Sequence, residues 1–374
     1  MLIKINPLDT LFFRDGKPFS MGDDNWADSL FPPSPSVTYG AIRTLFLGNT
    51  NFALTDKKTL EDATQHLAIK GIYLQIGRQF FLPAPADFAI EKVEQGDPKK
   101  AILQPRTAAY AGIVSNKPLP QITFPDFIVD NDKSKGLFSL TDLEDYLQGK
   151  PDKIDPKRDY YVSEPKIGIG RDNATFATDE GKLYRVDMKR LSPKITADNK
   201  DAYFQFHKYA QIAVELDTEI DHNWLHFTKL GADTKLAHFA VEPNATQSSK
   251  IPCPLTPADT QFKLYLATHA IFDQGWLPGC IDPQNNYIGT FGNDKHSVTL
   301  QLTGMALGKP QSIGGFDLKE QQPKTMYRTV PAGSVYYFQL VNGTIEAVKE
   351  LFHGKSISDQ LSHEGYGVTF VGKI

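Results

Sequence analysis

Residues Pro7–Phe19, PLDTLFFRDGKPF, and Phe31–Thr44, FPPSPSVTYGAIRT, decide how the rest of the chain is read. An apolar run at Leu2–Asn6 predicts a first strand that enters a polar Arg-Asp-Gly turn at Arg14–Gly16. Ser34 then predicts a helix N-cap, with Pro35 at the first helical position. From Pro35 to Leu47 the apolar residues Val37, Ala41, Ile42, Leu45 and Phe46 recur at helical spacing, the pattern of a helix laid on a sheet. Ser36, Gly40 and Arg43 fall on its other side. A glycine inside a helix costs about 1 kcal/mol relative to alanine, so Gly40 predicts close approach of another backbone. The start of such a helix presents unpaired N–H groups and partial positive charge, which suits anions, phosphate above all. A helix that is merely well capped is the plainer alternative.

At 374 residues the chain is long enough for two domains with separate cores. Net charge is −4 and the pI is near 6.1, which argues against a polyanion-binding surface covering the whole chain. Residues 150–200 carry 12 Lys or Arg against 9 Asp or Glu, a local excess of 3. Nucleic acid, if bound, is therefore expected at local sites. The start of the chain does not resemble a signal peptide and no segment reads as a membrane span, so a cytoplasmic protein is expected. Cys253 and Cys280, without a CxxC or paired-histidine pattern, imply neither a disulfide framework nor a zinc site.

Pro243–Thr260, PNATQSSKIPCPLTPADT, reads as a linker between a first domain, 1–245, and a second, 256–374. In the first, strands are expected at Ile72–Ile76 and Phe80–Leu82 around a Gly-Arg turn, and again at Tyr203–Phe206, Ile212–Leu216 and His238–Val241. A short helix is expected at Thr141–Leu147, within a proline-rich stretch from Glu91 to Asp159 that reads as insertions on a core. In the second, strands are expected at Phe262–Phe272, Val298–Leu302, Val335–Val341 and Val368–Val371, with a helix at Ile345–Phe352. Phe13-Arg14-Asp15-Gly16 and Phe272-Asp273-Gln274-Gly275 echo each other at the ends of the two first strands. One strand-helix-strand-strand-helix-strand unit used twice would account for that.

Catalytic motifs are sparse. No GxSxG elbow occurs, and His222 and His226 lack the glutamate that a zinc protease needs, since Asn223 follows the first histidine. Gly354-Lys355-Ser356 imitates the end of a phosphate-binding loop, but Lys349 stands where its first glycine belongs. Asp23 and Asp24 read as a solvated turn. Three glycine-rich turns are more informative: KIGIGR at Lys166–Arg171, SIGGF at Ser312–Phe316 near Lys324 and Arg328, and Gly365-Tyr366-Gly367. Small residues let a phosphate backbone approach the main chain and flanking cations hold it; ordinary tight turns are the alternative. Tyr336 and Phe338 share a strand face, where core packing competes with base stacking.

These segments, with EPKIGIGRDNATFATDEGKLYR, FKLYLATHAIFDQGWLPG and VPAGSVYYFQL, together resemble the RAMP superfamily of CRISPR proteins, and within it the third-subunit family of the Cmr (type III-B) effector. The resemblance implies an α+β fold of two ferredoxin-like (RRM-like) modules with long loop insertions. It implies a non-enzymatic subunit without cofactor or metal, which grips the 5′ handle of the CRISPR RNA. It also implies docking of the large polymerase-like subunit and the first backbone subunit. Processing relatives often carry a histidine near the first helix, whereas Pro7–Gly48 contains none, which favours binding over cleavage. Relatives also commonly carry basic residues at the last glycine-rich loop, where this chain has Ser362-His363-Glu364. The expected phosphate contacts are Arg14, Arg43, Lys166, Arg171, Lys324 and Arg328, with Ser34, Ser36, Gly168, Gly170, Gly314 and Gly315 at the close approaches. A metal-independent endoribonuclease using His207 or Tyr209 is the competing expectation.

Overall fold

The computed structural model describes residues 1–14, 16, 26–48, 64, 66–106, 120–191, 210–218, 226–243, 245–293, 296–317 and 322–374. The strand expected at Tyr203–Phe206, the candidates His207 and Tyr209, and Asp23, Asp24 and His222 lie outside them.

Two seven-stranded antiparallel sheets organise the chain. The first runs, in spatial order, His226–Lys229, Leu236–Glu242, Leu2–Pro7, Ala210–Leu216, Ile69–Ile76, Gln79–Pro83, Leu137–Ser139. The second runs Ile281–Asp282, Ile288–Asn293, His296–Ala306, Val335–Asn342, Gln261–Leu266, Val368–Gly372, Lys355–Ser356. All seven residues of Ala210–Leu216 and all five of Val368–Gly372 are buried. Strands covered on both faces show continuous apolar runs instead of alternation. The expected strand at Phe262–Phe272 ends earlier, at Leu266. There the Thr268 hydroxyl accepts the Val368 N–H at 2.9 Å, in place of a backbone carbonyl.

Three helices are fully described and the fold is mixed, with strand dominant. Helix α1 (Pro35–Gly48) begins at the expected proline and buries Tyr39, Ala41 and Ile42 against the first sheet. Helix α2 (Leu140–Leu147) is started by a capping box between Ser139 and Asp142, and buries Leu143, Tyr146 and Leu147. Helix α3 (Ile345–Phe352) takes Thr344 as its N-cap. No described helix precedes the second strand of the second sheet, so the twofold strand-helix unit is not reproduced there among the described residues.

The stretch from Glu91 to Asp159 is more than peripheral insertion. Phe138, Tyr146 and Ile154 are fully buried, in one cluster with Tyr265, Tyr337 and Phe370 of the second sheet. The linker is likewise strapped down. Glu215 accepts the backbone N–H groups of Gln247 and Ser248 at 3.0 and 2.9 Å, and the Ser248 hydroxyl at 2.7 Å. Ile251 and Leu255 are buried in the two core clusters it crosses.

Between the sheets lies a buried polar knot. Asp87, ahead of the strand Phe88–Ile90, is fully buried, and the Tyr146 hydroxyl sits 2.8 Å from both its carboxylate oxygens. Tyr337, from the second sheet, donates to the same carboxylate. Lys263, also from the second sheet, places its ammonium 3.6 Å from the Tyr146 ring centroid without a hydrogen-bond acceptor. Burial pushes the Lys263 ammonium down to about 8, opposed by the charge of Asp87. Burial also pushes the Asp87 carboxyl up, opposed by Lys263 and the two tyrosine hydroxyls. Removing one partner of a buried pair strands the other, which costs about 3–5 kcal/mol. Asp87→Ala is therefore expected to destabilise the protein far more than the joint change Asp87→Asn with Lys263→Met, as read by urea unfolding.

The sign of the pH effect follows from the depressed lysine. Between the folded value of about 8 and the unfolded value near 10.5, the unfolded chain binds more protons at this site, so the Lys263 contribution to stability rises with pH. Above about pH 10 the buried tyrosines Tyr73, Tyr146 and Tyr265, held well above their ordinary value of 10.0, oppose it as they ionise in the unfolded chain. Unfolding free energy compared between wild type and Lys263→Met should diverge from about pH 8 to about pH 10; parallel curves would exclude the depressed Lys263 ammonium.

Candidate functional site

Three features of the opening segment and two glycine-rich loops of the second half meet at one place. Pro35 starts α1, so Ser36 stands in its first turn. The Ser36 hydroxyl donates to Glu364 and lies 3.0 Å from the Tyr366 hydroxyl. Hydrogen bonds from Ser34 and from the Ser36 backbone also reach that tyrosine, although burial still raises the Tyr366 hydroxyl above its ordinary value. Glu364 and Tyr366 flank Gly365, whose φ is +95°; a Cβ there would lie 2.6 Å from an Ile69 methyl. The left-handed backbone and the lack of room both demand glycine at this position.

A second hairpin, Gln311–Ile313 paired with Tyr327–Thr329, brings SIGGF to the same place. Gly16 sits against it: a Cβ there would lie 2.7 Å from Met326 Sδ and 2.9 Å from the Ser312 carbonyl oxygen. The result is a cavity of about 300 Å³ lined by Ser36, Gly314, Lys324, Tyr327, Glu364 and Tyr366, with Ile313, Pro323 and Leu361 as apolar wall. Of the residues expected from sequence, Ser36, Gly314 and Lys324 line it, and Ser34 borders it through Tyr366. Arg43 lies two turns along α1 from Ser36, one turn beyond Tyr39, whose ring meets His363 edge-on at 5.4 Å. The Arg43 Nε is buried without a hydrogen-bond acceptor.

Other expected residues are elsewhere. Arg14 bridges to Ser29 and is exposed. Arg328 pairs with Ser312 and faces a different groove, beside Trp276 and Met305. A Cβ on Gly315 would meet nothing closer than the Lys324 side chain at 3.6 Å. Lys166, Gly168, Gly170 and Arg171 belong to a long hairpin, Val162–Arg171 with Thr178–Arg190, which joins Trp26–Ala27 in a separate three-stranded sheet.

That hairpin corrects the reading of KIGIGR as a turn. The segment is strand, and its glycines make room across the ladder: a Cβ on Gly168 would lie 2.2 Å from the Tyr184 ring, and one on Gly170 2.7 Å from Lys182 Cβ. Lys166 is paired with Asp233 at 3.0 Å, and Arg171 covers the Phe176 ring at 5.2 Å. Gly40 is also corrected. It is exposed, and among the described residues nothing lies within 4 Å of a Cβ placed there.

The helix start differs from the expectation too. A carboxylate from the second half, Glu364, already faces it, and Glu364 is only 6 % exposed. A phosphate placed there would meet a like charge, so this corner favours hydrogen-bond donors. Glu364 and Tyr366 have a sequence signal only in the Gly-Tyr-Gly turn. Trp26, half-exposed under the Arg185 guanidinium at 4.0 Å, has none, because its partner is set by a pairing 159 residues along the chain. Tyr336 and Phe338 are fully buried, so the core-packing alternative holds for them. Among the described residues no cluster of metal-ligating side chains occurs, and no helix is long and apolar enough to cross a membrane.

Two outcomes check this geometry. Gly40→Ala should raise stability by about 1 kcal/mol, read as an upward Tm shift. Gly168→Ala should cost about 1–3 kcal/mol of local hairpin stability through overpacking. Hydrogen exchange across residues 162–190 should show that protection restored when Tyr184→Ala is added.

No curated protein sequence matches the chain. Two solved structures share its fold, described as the cryo-EM structures of the type III-B Cmr-beta bound to cognate target RNA, one of them also with AMPPnP. In each, one chain is 15 % identical with a TM-score of 0.52, covering 90 % of this chain and 86 % of its own length. The family described as CRISPR-associated protein (Cas_Cmr3) matches residues 3–374. The chain belongs to that family.

Proposed function

We propose that this chain is a non-catalytic subunit that holds the 5′ handle of the CRISPR RNA, and that it bridges the large polymerase-like subunit and the first backbone subunit. The observation that carries the reading is the junction itself. Segments around residues 16, 36, 314–327 and 364–366, far apart in sequence, converge on one polar cavity, with Lys324 on its wall. The solved neighbours are described as bound to target RNA, which supports a nucleic-acid role for this fold.

The inner strand order supports two ferredoxin-like modules divided as 1–245 and 256–374. In the first sheet the order Leu236–Glu242, Leu2–Pro7, Ala210–Leu216, Ile69–Ile76 places the strands fourth, first, third, second. In the second, Val368–Gly372, Gln261–Leu266, Val335–Asn342, His296–Ala306 gives the same order. Each module then offers its loops to the same seam.

Lys324 is assigned to a phosphate at that seam and Arg43 to one beside it, while Arg14, Arg328, Lys166 and Arg171 are assigned to phosphates along the RNA path away from it. Phosphate binding releases counterions, so removing one cation–phosphate pair lowers the slope of log K against log salt by about one. The complex carrying Ala at Arg14, Arg43, Lys324 and Arg328 should bind handle-bearing RNA more weakly with a shallower salt slope. An unchanged slope would remove these residues from the interface.

A further inference from the structure

We infer that the cavity at the junction takes one extruded guanine base, read by the Glu364 carboxylate; this rests on the RNA-holding reading above. A buried carboxylate needs hydrogen-bond donors. Glu364 is 6 % exposed, yet its side chain has one donor, the Ser36 hydroxyl on Oε2, and Oε1 bonds to no other described residue. Among the described residues it has no ion pair, although the Lys324 side chain lines the same cavity. Ionised, a carboxylate offers about four lone-pair sites, so most of its accepting capacity is left for something entering the cavity.

The walls say what kind of group enters. Tyr327 and the apolar residues Ile313, Pro323 and Leu361 line the cavity with the carboxylate, and Met326 packs against Gly314 on its wall. Unstacked bases are held in this way, between aromatic or apolar faces with their Watson–Crick edge hydrogen-bonded. Among the four bases only guanine presents two adjacent donors, N1–H and N2–H, spaced for the two oxygens of one carboxylate. Cytosine and adenine offer an amine beside an acceptor, and uracil offers one imide N–H between two carbonyls. The acceptors of those three bases would face a carboxylate across the same edge. Lys324 is then placed for the phosphate of the extruded nucleotide, while Ser36 fixes the carboxylate's orientation.

The test reconstitutes the complete complex with guide RNA randomised through its 5′ segment, using wild type and Glu364→Gln, and sequences the retained RNA. Wild type should enrich guanine at one position about tenfold or more, the discrimination expected of a bidentate contact. Glu364→Gln should lose that enrichment and hold guanine-bearing RNA severalfold more weakly, with its remaining retention independent of the base. Inosine, which lacks the N2 amine, placed at that position in synthetic RNA should lower retention by the wild-type complex severalfold; this arm decides if the variant fails to assemble. RNA retained without base preference, a preference unchanged in Glu364→Gln, or a partner protein's side chain cross-linked to Glu364 would each overturn the inference and leave RNA holding intact. A wild-type complex that retains no RNA would overturn both.

Discussion

The hydrogen bond from Tyr337 to Asp87, with the Lys263 charge buried nearby, is the constraint on which the remaining geometry depends. It joins a loop of the first half to a strand of the second, with Asp87 and Lys263 both fully buried. A purely apolar seam would tolerate sliding, because hydrophobic contact is non-directional. A carboxylate that accepts from Tyr146 and Tyr337 has a fixed position, and so do the loops hung from the sheets on either side. Glu215 plays the same part at the linker, tying Gln247 and Ser248 to the first sheet. Asp87 thus ties the two halves together, while Glu215 ties the linker between them to the first sheet.

The resulting arrangement creates the site. The cavity at the junction belongs to neither half: α1 and Gly16 come from one, the SIGGF hairpin and the Gly-Tyr-Gly loop from the other. A small rotation at the seam would part Ser36 from Glu364 and open the cavity. Stability and function are therefore linked through the same buried groups, and a change at Asp87 is expected to reach the cavity without touching it.

Much of the framework is legible in the sequence, and the reasons are local. Helix α1 announces itself by Ser34-Pro35 and an apolar stripe, α3 by its period, and the central strands by short, mostly apolar runs. What stays hidden is long-range. KIGIGR looks like a turn because its glycines are read alone, whereas Tyr184 and Lys182 across the ladder are what make glycine necessary. Gly40 looks like a point of backbone approach, yet no described residue comes near it. The stretch from Glu91 to Asp159 looks like insertion because prolines mask the burial of Phe138 and Tyr146. The helix start suggests phosphate, since only the folded chain brings an acid 328 residues away to face it.

The most direct measurement of the central claim is ultraviolet cross-linking of the assembled complex to its guide RNA, with mass spectrometry to locate the modified peptides. The account places cross-links in the first turn of α1, in residues 312–328 and in the 362–367 loop, all from nucleotides of the 5′ handle. Cross-links confined to the outer faces of the two sheets, with the junction unmodified, would contradict it.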